Sequence, residues 1–203
     1  MNAITLEGFE ARFACEPDPW GTRVRRDEAV KREAILHALG SGRRGRVLEI
    51  ASGNGSNSAA LARRSLRFVA TDGAPSAVAL TRSALGGVRH AEAVEMALPE
   101  LPKGGFHTVV VAEVLYYLPA RDVVEVGRAI GRRLARGGRV VLAHHHVEFS
   151  DTASAPRLCH RRVVRGIAEV AGPVVREVVA RSRVWRVERV DFAARALIAP
   201  QKT

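Results

Sequence analysis

The chain has 203 residues, 47 % of them apolar, and a formal net charge of +11. That length fits one domain around a single core; no apolar run approaches the roughly 20 residues that span a bilayer, and residues 1–10 have neither a basic start nor a continuous apolar stretch, so no signal peptide is expected. Cys15 and Cys159 lie too far apart in sequence to suggest a disulfide framework or a Cys-x-x-Cys site, which leaves a cytoplasmic protein as the expectation.

The basic charge invites a nucleic-acid reading. Against it, the basic residues are nearly all arginine, the only lysines being Lys31, Lys103 and Lys202, and the arginines are scattered along the chain. A basic surface without a dedicated partner accounts for this better.

In chain order, residues 1–20 read as a helix followed by an extended stretch, because Pro17 and Pro19 bar a helix through Asp18-Pro19-Trp20. Residues 27–39 form an amphipathic helix with Val30, Ile35, Leu36 and Leu39 near one face. Its Glu28 either orients the N-terminal segment or is an ordinary surface charge. The loop 40–45 then launches a strand through Val47, Leu48 and Ile50.

That strand runs into Ala51-Ser52-Gly53-Asn54-Gly55, and apolar residues return at helical spacing over about 55–64. A glycine loop between a strand and a helix start lets a ligand approach bare backbone N–H groups at the positive end of a helix. The motif is not the full dinucleotide fingerprint, since Ser58 stands where a third glycine belongs. Glu49, inside the strand end, is a carboxylate where a parallel sheet usually has an apolar residue. Asp72 ends the next apolar run, 66–72, roughly 20 residues past the loop, where a carboxylate can meet two ribose hydroxyls.

Pro75 opens the next helix, at a position where its missing N–H costs nothing. Residues 88–94 read as a third strand and 106–112 as a fourth, apolar enough for the centre of a parallel sheet. Glu113, Tyr116 and Tyr117 emerge at its carboxyl end, where open α/β sheets bind ligands. Two adjacent tyrosines cannot both face one side of a helix, so one is expected to wall the site. A helix over 122–136, stopped by Gly137-Gly138, leads to a strand over 139–143 and to His144-His145-His146. Consecutive strand residues alternate faces, so three histidines in a row do not ligate one ion, and no metal is expected. They read as structural or substrate-facing, one of them able to accept or relay a proton. A polar loop over 148–156, a helix over 157–171 and a final hairpin of 174–180 and 190–199 complete the chain. No repeat, linker or second domain is visible.

Leu48-Glu-Ile-Ala-Ser-Gly-Asn-Gly55, Val69-Ala-Thr-Asp72 and Phe106-His-Thr-Val-Val-Val-Ala-Glu-Val-Leu-Tyr-Tyr-Leu118 resemble the motifs of class I S-adenosylmethionine-dependent methyltransferases. Asp18-Pro-Trp20 with Glu28, Lys31 and Tyr116-Tyr117 resemble, more narrowly, the nodulation-type (NodS-like) N-methyltransferases. The resemblance implies a Rossmann-like α/β fold: a seven-stranded, mostly parallel sheet with an antiparallel last strand and helices on both faces. It implies one domain over 1–203, with residues 1–40 as a lid and 46–199 as the core. The implied cofactor is S-adenosyl-L-methionine, leaving as S-adenosyl-L-homocysteine. Trp20, Glu49, Ala51, Gly53, Asn54, Gly55, Asp72, Gly73, Glu95, Met96 and Ala112 are the implied cofactor contacts, with Val94, Glu95 and Met96 alternatives for the place beside adenine. His107 stands where relatives carry Asp, at a position that supports the fold. His160 is either a second-line site residue or, more simply, a surface histidine.

Methyl transfer is an in-line displacement for which the cofactor supplies the electrophile and the protein position. An amine must arrive neutral, so a proton acceptor at the site has a role. Glu113 is the first candidate by location, with His144 and His146 behind it; Tyr117 completes the expected catalytic group, and Asp18 can help hold an amine. The expected reaction is methylation of a small-molecule acceptor, N-methylation of an amino group on a sugar or specialised metabolite, with O-methylation as the alternative. A nucleic-acid substrate has only the charge in its favour, since Ala112-Glu-Val-Leu115 replaces the Asn/Asp-Pro-Pro-Tyr/Phe segment of many base amino-methylases. A nicotinamide oxidoreductase is disfavoured by Glu49 and the missing glycine; a non-catalytic cofactor sensor stays open. A monomer or homodimer is expected, without a membrane partner.

Overall fold

The computed structural model describes residues 3–192. Two helices, α1 (Leu6–Cys15) and α2 (Arg26–Leu39), precede a sheet built from β1 (Arg44–Ile50), β2 (Ser65–Asp72), β3 (Ala91–Glu95), β4 (Phe106–Ala112), β5 (Leu134–His145), β6 (Val174–Arg181) and β7 (Trp185–Phe192). Between strands lie α3 (Ser58–Arg63), α4 (Pro75–Leu85), a 3₁₀ turn (Leu115–Tyr117), α5 (Ala120–Arg133) and α6 (Pro156–Ala171). The order across the sheet is β3-β2-β1-β4-β5-β7-β6. β1 to β5 run parallel, and β7 is antiparallel to both of its neighbours. The chain thus leaves β1 in one direction for β2 and later crosses to β4 on the other side. The strand order reverses between β1 and β4, the crevice where ligands of open α/β sheets sit.

Strand alternation sorts the core into two layers. On one face Leu48, Ile50, Val109, Val111, Val140 and Leu142 pack with Val123, Val126 and Ile130 of α5 and Val163 and Ile167 of α6. On the other, Val47, Phe68, Ala70, Val110 and Val141 pack with Ile35 and Leu39 of α2, Leu61 of α3 and Val78 of α4. Helices therefore cover both faces. α5 and α6 touch backbone to backbone at Gly127 and Gly166, where a Cβ on either would run into the facing helix's carbonyls. No described helix is long and apolar enough to cross a membrane.

Several boundaries differ from the sequence reading. The helix after the glycine loop begins at Ser58, because residues 52–58 are spent in turns closed by Gly55 N–H to Ser52 O and Ser58 N–H to Gly55 O. The third strand starts at Ala91, after the positive-φ turn at Gly86 and Gly87. Gly137 and Gly138 do not cap the helix over 122–136. α5 ends at Arg133, and the two glycines lie inside β5, where residues 134–139 span the register shift opposite Phe106 and Thr108. Gly138 there lies against the Ala135 and Phe106 carbonyls, leaving no room for a Cβ. The last strand begins at Trp185, five residues before the expected Val190, its inward Trp185, Val187 and Val190 being interleaved with charges. Residues 193–199 of the expected strand lie outside the described residues. His107 accepts a hydrogen bond from Arg46 N–H on Nδ1 (3.0 Å), tying β4 to β1.

Candidate active site

A cavity of about 630 Å³ opens at the carboxyl ends of β1, β2 and β4, within the common range of ligand clefts. The 3₁₀ turn and the loop after β5 flank it, and α1 covers it. Of the residues singled out in sequence, Trp20, Glu49, Ala51, Gly53, Asn54, Asp72, Gly73, Met96, Ala112, Glu113 and Tyr117 lie on its wall. Gly55, Glu95 and His144 do not. Gly55 (φ +75°) is pressed against α4, where a Cβ would meet Ala84 Cβ at 2.8 Å and Thr81 Cα at 2.9 Å. Glu95 is exposed at the end of edge strand β3.

Ala51 and Glu113, the residues directly after β1 and β4, both adopt positive φ (53° and 54°) although neither is glycine. Such conformations cost energy and persist where the surroundings enforce them. Here two neighbouring strands end in the same forced bend at the switch point, turning the chain across the cavity floor.

The glycine loop is held from beneath and from the side. Asp72 accepts hydrogen bonds from Gly53 N–H (2.8 Å) and Ala74 N–H (3.0 Å). Glu49 is buried and accepts Ser58 Oγ–H at 2.5 Å, so the residue in place of the third glycine supplies the hydroxyl that this carboxylate needs. Burial pushes Glu49 up to about 7, against the pull of Ser58, with Asp72 adding repulsion. Asn54 faces the N-terminal segment: its amide donates to Asp18 Oδ1 (2.8 Å) and Pro17 O (3.2 Å). Asp18 also accepts Thr22 N–H (2.7 Å), Thr22 Oγ–H (2.8 Å) and Arg23 N–H (3.0 Å). Burial opposes its charge, but these donors together hold it below the usual carboxylate range. Asp18 is thus fully engaged in stapling residues 18–23 to the glycine loop and is not on the cavity wall.

Glu113 is the hub of the opposite wall. Its carboxylate takes Lys31 Nζ and His145 Nδ1 (2.9 Å) on one oxygen, and Tyr116 Oη–H (2.7 Å) and His145 N–H (3.0 Å) on the other. Burial opposes its charge, yet His145 and Lys31 hold the carboxyl well below its ordinary value. Lys31 Nζ also reaches Glu28 at 2.7 Å. Glu28, Glu113 and His145 bring three ligand-type atoms within 4.8 Å of one another, but the Lys31 ammonium bonds both carboxylates and is the cation of this cluster. Glu28 is accordingly a site residue rather than a surface charge.

Tyr116 and Tyr117 both reach the cavity, their rings edge-on at 4.6 Å. The sequence reading assumed an α-helix; a three-residue 3₁₀ turn lets both long side chains converge. Tyr117 also packs edge-on against Phe9 of α1 (4.9 Å), and Phe9 and Phe13 adjoin Trp20. Burial raises both phenols, Tyr117 to about 12 and Tyr116 well above its usual value.

His144 is buried behind the wall. Its Nε2 accepts Leu115 N–H (3.3 Å), and its Nδ1 pairs with His160 Nε2 at 3.0 Å. His160 is not on the surface: it is 1 % exposed, and its Nδ1 lies 3.3 Å from Glu188. Because Nε2 of His144 is an acceptor, its proton sits on Nδ1 and is donated to His160 Nε2, while His160 Nδ1 faces both Glu188 and the Arg186 Nε–H (3.3 Å). Burial lowers both histidines, which are neutral. Both nitrogens of His144 are occupied, so it braces the 3₁₀ turn and has no lone pair to offer the cavity. His146, at the end of the run, bonds Arg183 O through Nε2 (3.1 Å). Sequence reasoning passed over His145 itself, along with Phe149 and Asp151, which close the cavity from the loop after β5.

A family model described as a methyltransferase domain matches residues 47–138, the stretch from the first strand through the start of β5. That stretch, a little under half of the chain, is similar to a methyltransferase domain. Its fold is similar to the N-methyltransferase NodS from Bradyrhizobium japonicum WM9 in complex with S-adenosylhomocysteine: 21 % identity, TM-score 0.75, 93 % of this chain and 98 % of NodS covered. It is also similar to a candidate methyltransferase from Pseudomonas syringae (27 % identity, TM-score 0.68, 82 % and 99 % covered) and to DhpI in complex with S-adenosylhomocysteine (20 %, 0.71, 94 % and 96 %). A search of the curated proteins found no match. The matched stretch holds the glycine loop, Glu49 and Asp72 together at the switch point, and the segments outside residues 47–138 supply Trp20, Glu28, Lys31 and His145.

Proposed function

We propose that the protein transfers a methyl group from S-adenosylmethionine to an amino group of a small molecule, such as an amino sugar or a specialised metabolite. One observation carries the acceptor class: the protein is strongly basic, yet its cavity is acidic. Glu28, Glu49, Asp72, Glu113 and Asp151 line it, against the cations Arg25 and Lys31, on a chain whose net charge is +11. Such a concavity attracts cations and repels phosphates and carboxylates. An amine fits it; a nucleic-acid backbone does not.

The residues present suit the cofactor. Glu49 is a buried carboxylate with no ion pair among the described residues, Arg32 acting on it only through space, and a positively charged ligand would relieve it. Asp72, beside the N–H groups of the glycine loop, is the partner for a ribose diol. Ala51, Gly53, Gly73 and Ala112 leave the backbone open for close approach, Met96 would stand on the adenine side, and Trp20 would cover the bound cofactor. When bound, the cofactor supplies the electrophilic methyl. The protein holds it in line with the acceptor and excludes water, for which the aromatic cover from α1 is suited. We read the chain as one cytoplasmic domain, with residues 1–40 as its lid and 46–199 as its core, acting as a monomer or homodimer.

The test has two steps. Calorimetry with S-adenosylhomocysteine and with NADH should show binding of the first alone. Transfer of radiolabel from S-[methyl-³H]adenosylmethionine is then screened over amines, alcohols, carboxylates and phosphates. Methylation confined to amines supports the reading; preference for an anionic acceptor overturns it.

A further inference from the structure

Among the groups at the cavity, we propose that His145, not Glu113, accepts the acceptor's proton, and that Glu113 positions it. The proposal rests on the methyl-transfer reading above and names the base that reading leaves open. Candidate bases fall away one by one. Glu113 has all its bonding directions taken by Lys31, Tyr116 and two groups of His145. His144 has both ring nitrogens engaged. The tyrosines are protonated phenols. Lys31 is an ammonium between two carboxylates.

His145 remains. An ionised carboxylate only accepts, so the contact of 2.9 Å between Glu113 and His145 Nδ1 fixes the ring proton on Nδ1. That tautomer leaves a lone pair on Nε2. Among the described residues Nε2 has no hydrogen-bond partner, and His145 lines the cavity. Glu113 grips the residue twice, at the ring and at the backbone N–H, and Phe149 packs edge-on at 5.3 Å. A base held by a second group in a fixed tautomer is the arrangement by which histidines accept protons in enzymes.

The step balances. An acceptor ammonium gives one N–H proton to Nε2, becoming a neutral amine. Its lone pair forms the new N–CH₃ bond as the S–CH₃ bond breaks; that electron pair stays on sulfur, leaving a neutral thioether, and the positive charge passes to the N-methylammonium product. The imidazolium is stabilised by Glu113 and returns its proton to solvent. His145 is therefore a catalytic residue, Glu113 a positioning residue.

Two measurements on the full chain test this. In a long-range ¹H–¹⁵N histidine spectrum, His145 should show a protonated Nδ1 and a bare Nε2, and Glu113→Gln should shift that tautomer toward protonated Nε2. A protonated Nε2 in the unmodified protein overturns the proposal. In the labelled-methyl assay with D-glucosamine and simple primary amines as probes, His145→Gln should retain S-adenosylhomocysteine affinity. It should lose about 10²–10⁴-fold in rate, with part of the loss restored by added imidazole. Transfer at the unmodified rate overturns it. An unmodified enzyme that methylates anions instead of amines defeats the acceptor reading alone, because the tautomer is read without an acceptor.

Discussion

Glu49→Gln should make the ligand-free protein more stable, increasingly so as pH rises from about 4.5 to 7. Burial raises Glu49 from the ordinary 4.5 to about 7. Below 4.5 the group is protonated folded and unfolded, and adds no penalty. As pH rises toward 7 the unfolded chain ionises freely while the folded one resists, so stability from this group is lost across that window and stays lost above it. At about 1.4 kcal/mol per pH unit the loss totals roughly 3 kcal/mol. Glutamine is neutral throughout and keeps an oxygen for Ser58. Urea denaturation of both proteins at pH 4.5 and pH 8 reads the difference. The midpoints should nearly coincide at the lower pH and separate by roughly 1–2 M at the higher, Glu49→Gln being the more stable. Parallel stabilities at both pH values would refute the reasoning. The same substitution should weaken S-adenosylhomocysteine binding, which separates a site carboxylate from a merely misplaced one.

Asp72→Ala should cost roughly 2–3 kcal/mol in S-adenosylhomocysteine affinity by calorimetry, since it removes a charged acceptor and frees the Gly53 amide; unchanged affinity would take Asp72 out of the site. Gly55→Ala should destabilise by about 2–4 kcal/mol, because the added methyl meets Thr81 and Ala84 at a positive φ, and thermal melting reads it. Lys31→Met should destabilise by about 2–4 kcal/mol by leaving the partly buried Glu113 and Glu28 without their cation. Because protonated carboxyls need no cation, that loss should shrink on acidification, a trend that a pure packing defect would not show.

Local pattern carried the sequence reading a long way. The strand, glycine loop and helix around Gly53 and Gly55 were legible because each is written in neighbouring residues, and Glu49 and Asp72 stood out as carboxylates in apolar strands. What was not legible depends on long-range placement. Lys31 sits mid-helix 82 residues from Glu113, and nothing in its own window tells it from a solvated charge. Asn54 stands out in the glycine loop, but its amide's bonds to Asp18 and Pro17, more than thirty residues away, are not written in its own window. Among three consecutive histidines, sequence favoured the first; the pleat turns His144 into the core and His145 to the cavity. Gly137-Gly138 looked like a helix stop, while the bend that brings Ala135 O within 2.8 Å of a Cβ at Gly138 goes with the register shift of β5 against β4, which local pattern does not show.

The cation that neutralises the cavity's central carboxylate is delivered by α2, outside the sheet and outside the stretch that matches the methyltransferase family. A fragment beginning after residue 40 would retain every strand, the glycine loop and Asp72, yet its charge pattern would be another protein's. With Lys31 gone, Glu113 and His145 would form an open pair on the cavity wall. Grafting the sheet of this protein onto a foreign N-terminal segment, or recombining it with a relative's, would therefore exchange the electrostatics of the acceptor side, while Glu49 and Asp72 on the cofactor side would stay with the sheet.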